Sequence, residues 1–282
     1  FSNNGNGGLG NVRRRFGWNR DYHTVTAGRF RANSNDYLLF YNRIQGYAKV
    51  FETNSQGQIT RRFMGRWKKT WDIIDSGYFS SSTQEDVVLY SRTTGKLKIV
   101  RFTADWKLRA VDSITVGKGF TAMAVGELVG GRDSVALYNA GGGLVRIYSF
   151  NRSRKKLVDW VRTKEVGTHW DQMVVGDFNS DNGAEIFLYD QDQGRIKVLS
   201  PRPSPSSLYI VQQSQNWPIA RGAILVAGNL KNASGKDDIL IYTNDDGQAK
   251  RYSYKPHTNR MAHDYTHSGW NKLWNHIVLG DF

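Results

Sequence analysis

Seven of the nine tryptophans stand where they could do chemistry. Trp18, Trp67, Trp217 and Trp270 each sit just before a short apolar segment, and Trp71, Trp170 and Trp274 sit at the entrances of such segments. A flat indole face packs on the C–H surface of a sugar ring, and neighbouring Asn, Gln and Arg side chains can bind its hydroxyls. Indoles that recur with the period of the chain would equally serve to wedge structural units together, and both readings stand at this point. A second candidate set is cationic. The net charge is +14, and residues 1–70 hold 13 Lys and Arg against 3 Asp and Glu. Within that quarter, Arg13, Arg14, Arg15, Arg61, Arg62, Arg66, Lys68 and Lys69 form a basic set suited to polyanions: acidic glycans, nucleic acid or an anionic surface. Basic and aromatic residues interleave in RRRFGWNR and RRFMGRWKK, as in single-strand binders, so non-specific nucleic-acid binding is a rival partner class.

Catalytic patterns are scarce. His23, His169, His257, His263, His267 and His276 show no metal-ligand spacing, and neither a GxSxG nor a P-loop is present. Carboxylate pairs such as Glu85/Asp86 and Asp237/Asp238 recur with the period of the chain, whereas catalytic residues would break it. A glycosidase would need two carboxylates converging at one place, and Asp72, Asp75, Asp171 and Asp177 are the acids nearest to that arrangement. The expectation is a protein that is not an enzyme.

The elements that must position these residues follow from repetition. GRWKKTWDIIDSGYF at 65–79 returns as SGWNKLWNHIVLGDF at 268–282, with a worn copy, FGWNRDYHTVTAGRF, at 16–30. Apolar stretches close on Gly28, Gly77, Gly126, Gly176, Gly228 and Gly280. The first five are followed by Tyr41/Gly46, Tyr90/Gly95, Tyr138/Gly143, Tyr189/Gly194 and Tyr242/Gly247. A period of roughly 50 residues lies in the range of propellers, solenoids and arrays. Each unit offers four strand-length segments, such as DIIDSGYF, DVVLYS, KLKIVRF and LRAVDSITV, bounded by turn residues, and none carries a sustained helical period. Tyr-x-x-x-x-Gly fits a short hairpin turn. The fold expected over residues 1–282 is a single all-β domain, a β-propeller of four-stranded blades whose strands A to D run from hub to rim.

The phase of the ends favours six blades. Phe282 matches Phe79 and Phe1 matches Phe51, which gives six A and six D strands but five B–C hairpins. Five complete blades plus one made from both termini would then form the ring, with roughly 20 residues wanting between the ends; a five-bladed ring with spare terminal strands is the runner-up.

The segment LLFYNRIQGYAKVFETNSQGQITRRFMGRWKKTWDIIDSGYF resembles repeats of secreted bacterial proteins that read LLFYD-x(4)-G, TDGQG and GW-x-x-x-WD-x-I-x-x-G-x-F, akin to the integrin-like FG-GAP and VCBS propeller repeats. The resemblance covers nearly the whole chain. It implies a propeller, a binding module rather than an enzyme, and a secreted, extracellular protein. It also implies a calcium site in an A–B turn. One unit keeps the required pattern, with Asp177, Asn179, Asp181 and Glu185 at the ligand spacing in GDFNSDNGAEI; closely spaced oxygen donors suit a hard cation. The other units lack these carboxylates, and an Asx-type turn without metal is the alternative; no other cofactor is expected.

Composition narrows the rest. No apolar run is long enough for a membrane span. The absence of cysteine excludes disulfides and thiol chemistry. The expectation is therefore a lectin-like propeller that binds glycans, acidic ones included, through tryptophan-lined sites between blades. The alternatives are a protein-docking module of a larger enzyme or toxin, and a polyanion binder acting through the basic quarter.

Overall fold

The computed structural model describes residues 21–32, 34–54, 58–163, 166–179, 183–202, 207–214, 216–230 and 235–280. Among these residues, twenty strands form five antiparallel four-stranded sheets, each a simple meander of consecutive strands. The first sheet holds β1–β4 (Thr24–Gly28, Tyr37–Asn42, Tyr47–Thr53, Ile59–Arg66) and the second β5–β8 (Ile73–Gly77, Asp86–Ser91, Lys96–Phe102, Leu108–Thr115). The third holds β9–β12 (Ala122–Gly126, Ser134–Asn139, Leu144–Asn151, Lys156–Thr163) and the fourth β13–β16 (Gln172–Gly176, Glu185–Asp190, Arg195–Arg202, Ser207–Ser214). The fifth holds β17–β20 (Ile224–Gly228, Asp238–Thr243, Gln248–Lys255, Arg260–His267). No helix occurs among the described residues. The chain is thus an all-β propeller, and its four-stranded blades are the units that the period marks out.

The blade count corrects the favoured reading. Five sheets are present among the described residues, which is the runner-up count, and not six. The reason lies at the hub. A channel of about 360 Å³ runs between the inner strands and is lined by residues 25–27, 74–76, 123–125, 173–175, 225–227 and also 277–279. The last segment, cognate to β5, takes an inner position, and among the described residues no sheet stands behind it. Its flanks fit that place: a Cβ built on Gly228 would lie 2.8 Å from Leu279 Cδ1, and His276 Nε2 lies 3.1 Å from the Tyr22 carbonyl oxygen. The D strand that the sequence would add from residues 1–20 lies outside the described residues.

Burial explains why the repeat takes this form. Strands β2, β6, β10, β14 and β18 are packed on both faces, so they read as continuous apolar runs instead of alternating. Each ends near a fully buried tyrosine: Tyr41, Tyr90, Tyr138, Tyr189 or Tyr242. Its hydroxyl donates to a carbonyl in the D–A connection, to Lys68 at 2.6 Å, Gly117 at 2.9 Å, Gly167 at 2.8 Å, Pro218 at 2.5 Å, and to Asn271. The glycine five residues on has positive φ, +73° at Gly46, and at Gly46, Gly95, Gly194 and Gly247 its carbonyl accepts an amide of the same connection, that of Trp67 at 2.7 Å in the first blade. The B–C turn and the following D–A connection are therefore clamped to one face by two bonds, each contributing about 1 kcal/mol.

The paired carboxylates have the same structural character. Asp86, Glu185 and Asp238 accept backbone amides of their own A–B turns, from Ser80, Phe178 and Leu230. The preceding acids reach the neighbouring blade: Asp133 accepts from Tyr78 N and Asp237 from Asp177 N. These acids follow the repeat because they fasten it.

Candidate functional site between the first and second blades

A β-bulge recurs at one place in every blade. The register of the C and D strands shifts between Val50 and Phe51, Ile99 and Val100, Ile147 and Tyr148, Val198 and Leu199, and Arg251 and Tyr252. A bulge locally re-aims the chain. In the second to fifth blades the second residue of each pair, Val100, Tyr148, Leu199 or Tyr252, is buried at the bulge. Val100 packs with first-blade residues, Leu199 with third-blade and Tyr252 with fourth-blade residues, so this position fills the gap to the preceding blade. Among those four, the smallest side chain belongs to the second blade.

There a cavity of about 250 Å³ opens, lined by Trp67, Lys68, Thr70 and Trp71 of the connection and by Leu89, Thr94, Lys96, Lys98, Val100, Leu108 and Ala110 of the second blade. Trp71 is buried in the core shared by the two blades, whereas Trp67 is only partly buried beside it and lies against Tyr41 at 5.9 Å. The indole Nε1 of Trp67 is buried with no hydrogen-bond partner among the described residues. The lining carries three lysines and no carboxylate.

In other gaps the same places are closed by the protein itself. Tyr252 stacks on Trp217, the cognate of Trp67, at 3.9 Å and 21°. Position 98 of the second blade corresponds to Lys49, Arg146, Lys197 and Lys250. Arg146 donates to the Val116 carbonyl at 2.8 Å and to Tyr148 Oη at 3.0 Å. Lys197 donates to the Val166 carbonyl at 3.0 Å and lies over the Trp170 ring at 5.4 Å; burial draws its ammonium pKa down. Lys98 makes no such bond: the side chains of Lys68, Lys96 and Lys98 have no hydrogen-bond or ion-pair partner among the described residues.

The remaining tryptophans are structural in their surroundings. Trp170 and Trp217 are buried between blades, Trp170 donating through Nε1 to the Val166 carbonyl at 2.6 Å, and Trp270 is buried against the fifth blade and the terminal segment. Trp274 is partly buried and packs on Tyr242 and Trp270. Trp18 lies outside the described residues. The six indoles that the structure describes thus do not have equivalent surroundings, and the residue at the bulge differs from gap to gap.

The basic set divides similarly. Arg61, Arg66, Lys68 and Lys69 are exposed, with the Arg66 guanidinium 4.7 Å from the centre of the Tyr47 ring. Arg62 is paired with Glu52, which removes its charge from any patch. Arg13, Arg14 and Arg15 lie outside the described residues, as does Asp181 of the calcium pattern. Of the other calcium candidates, Asp177 places both carboxylate oxygens 2.9 Å from Lys236 Nζ, Glu185 accepts the Phe178 amide at 2.9 Å, and Asn179 is buried. No cluster of three His, Cys, Asp or Glu suited to a metal occurs among the described residues. A lysine ammonium stands where that loop would present its first ligand.

Of the four acids near the inner strands, Asp75 alone lines the axial channel. Its place is taken in the other units by Thr26, Ala124, Val174, Val226 and Val278, and burial pushes its carboxyl pKa up to about 7. Asp72 instead binds Arg43 and the Arg92 amide, and Asp171 binds the Gln191 amide.

Of the residues that line this cavity, the sequence singles out Trp67, Trp71 and Lys68 as candidates and not Lys96, Lys98 or Val100. The signal was present: aligning the units at their Tyr/Gly pairs sets Val100 against Tyr148, Leu199 and Tyr252.

Comparison with known proteins places the fold and nothing finer. No family model matches the chain, and no curated protein matches it by sequence. Among solved structures, a crystal structure of a protein from Lactobacillus plantarum, a structural genomics target, is similar with a TM-score of 0.55 at 10% identity. The match covers 84% of this chain and 69% of that one. No helix among the described residues is long and apolar enough to cross a membrane.

Proposed function

We propose that the protein is a non-enzymatic carbohydrate-binding propeller whose principal site is the gap between the first and second blades. One observation carries this reading: Trp67 borders an open cavity at the place where its cognate Trp217 is covered by the Tyr252 ring. A pyranose ring has the size and the flat C–H face to take the position of that phenol against the indole. Thr70 and Thr94 supply hydroxyls at the rim, and apolar walls with a few polar groups are the usual make-up of a small-ligand site. Against an enzymatic reading stands the fastening role of the repeated carboxylates, which leaves Asp75 without a partner acid of the same kind on the channel wall. The resemblance to secreted propeller repeats supports an extracellular setting.

A glycan array probed with the folded 282-residue chain tests the proposal. Retention on at least one glycan class is expected, with loss of that retention in Trp67→Ala. A folded sample that binds no glycan removes this function.

A further inference from the structure

We infer that the ligand of this gap is one ring of an acidic polysaccharide, with its anionic groups held by Lys68, Lys96 and Lys98. The inference rests on the carbohydrate reading above and adds the charge class. Three lysines line a single cavity of about 250 Å³, no acidic side chain lines it, and none of the three side chains is spent on a protein partner among the described residues. The protein shows what an ordinary structural use of these positions looks like: Arg146 and Lys197, cognate to Lys98, are each tied to a carbonyl of the preceding connection. Lys98, like Lys250 of the fifth blade, is tied to no such carbonyl among the described residues, and in this gap it stands beside Val100, the smallest of the four buried bulge residues. Placing like charges together around an apolar floor costs self-repulsion unless an anion offsets it. Lysine is a compact, hydrated point charge without the fork geometry of arginine, so it matches anions spaced along a chain better than one fixed carboxylate. The exposed Arg66 and Lys69 flank Trp67 and Lys68 along the same connection and extend the positive surface past the cavity, which suits a polymer rather than a free monosaccharide.

Calorimetric titration of the intact chain with an oligogalacturonate, a heparin oligosaccharide, a neutral galactan oligosaccharide of equal length and a single-stranded oligonucleotide decides the matter. The acidic saccharides should bind about tenfold or more tighter than the neutral one, with a preference that shrinks as salt is raised. The two acidic probes separate carboxylated from sulfated chains. Joint replacement Lys96→Gln and Lys98→Gln should weaken the acidic ligand about tenfold, a loss exceeding any seen for the neutral one. Val100→Tyr, which gives this gap the side chain of the third and fifth blades, should block saccharide binding altogether. If Val100→Tyr does not fold, the exposed and half-buried lysine pair carries the test alone. Equal affinity for acidic and neutral saccharides overturns the anionic class and leaves the carbohydrate reading intact. Acidic binding that survives both variants lies elsewhere and overturns the site. Tighter binding of the oligonucleotide, lost in Val100→Tyr, overturns the polysaccharide in favour of nucleic acid. Absence of any saccharide binding overturns both readings together.

Discussion

The gap between the first and second blades and the gap between the fourth and fifth are built on the same plan and end in opposite states. Each has a tryptophan, Trp67 or Trp217, whose amide is held by a turn glycine, Gly46 or Gly194. Each faces a C–D bulge. In the later gap the bulge presents Tyr252, which stacks on the indole and leaves it 8% exposed. In the earlier gap it presents Val100, and a cavity remains. One side chain in a shared frame thus separates a sealed seam from an open site. A repeat protein can make one unit functional without altering the fold, because each bulge residue is chosen independently of the clamps that hold the blades.

Tyr252→Val should break that contrast most strongly. Removing a buried aromatic ring from the fifth blade should cost about 3 kcal/mol, measured as a fall in the urea midpoint. It should also open a second cavity over Trp217, so that an added quencher reaches an indole that is shielded in the parent. Unchanged stability would mean that the stacking at 3.9 Å contributes nothing.

The turn glycines sharpen the comparison further. A Cβ on Gly46, at φ +73°, would stand 2.7 Å from the Trp67 carbonyl oxygen, and a Cβ on Gly194 would stand closer still to that of Trp217. Gly46→Ala should destabilise by about 2 kcal/mol through steric and φ strain, and Gly194→Ala by more. Gly46→Ala should weaken glycan binding because it displaces Trp67, whereas Gly194→Ala should leave it alone. Thermal unfolding and titration of both variants check the pair.

Tyr41→Phe should have a smaller effect. It removes the hydroxyl bond to the Lys68 carbonyl, costing about 1 kcal/mol, and loosens the connection that carries Trp67, Lys68 and Trp71. Faster amide exchange confined to residues 66–72 is the expected signature; exchange unchanged there would show that the clamp does not hold the site.

The smallest effect on either gap is expected from the axis. Asp75 has a carboxyl pKa raised from 3.8 to about 7, so the folded state prefers its protonated form. Its contribution to stability is complete below about pH 4 and is lost as the pH rises through about 7. Asp75→Asn should therefore flatten the fall in melting temperature between those pH values while glycan affinity stays as in the parent. A melting curve whose pH dependence is unaltered by Asp75→Asn would remove this assignment.

Much of this architecture was legible before any coordinates. The Tyr-x-x-x-x-Gly spacing placed the B–C turns, the closing glycines placed the inner strands, and the recurrence of Glu85/Asp86 with Asp237/Asp238 marked those acids as parts of the frame. Local patterns of this kind are readable because strand alternation, turn chemistry and the period all constrain neighbours in sequence. The blade count was less legible. The cognate of β5 at 277–279 does reach the hub, but whether a sheet stands behind an inner segment depends on pairings far apart in the chain. The tryptophans show the same boundary. Their recurrence pointed to sites between blades, and could not tell a wedge from a platform. That was decided by contacts across blade boundaries: Tyr252 over Trp217, Lys197 over Trp170, and a cavity lined by both Val100 and Trp67. The sequence determined a radially repeated β frame because its information is periodic and local. Only the tertiary structure decided which gap is open, because that depends on the volume left between side chains of successive units, about fifty residues apart.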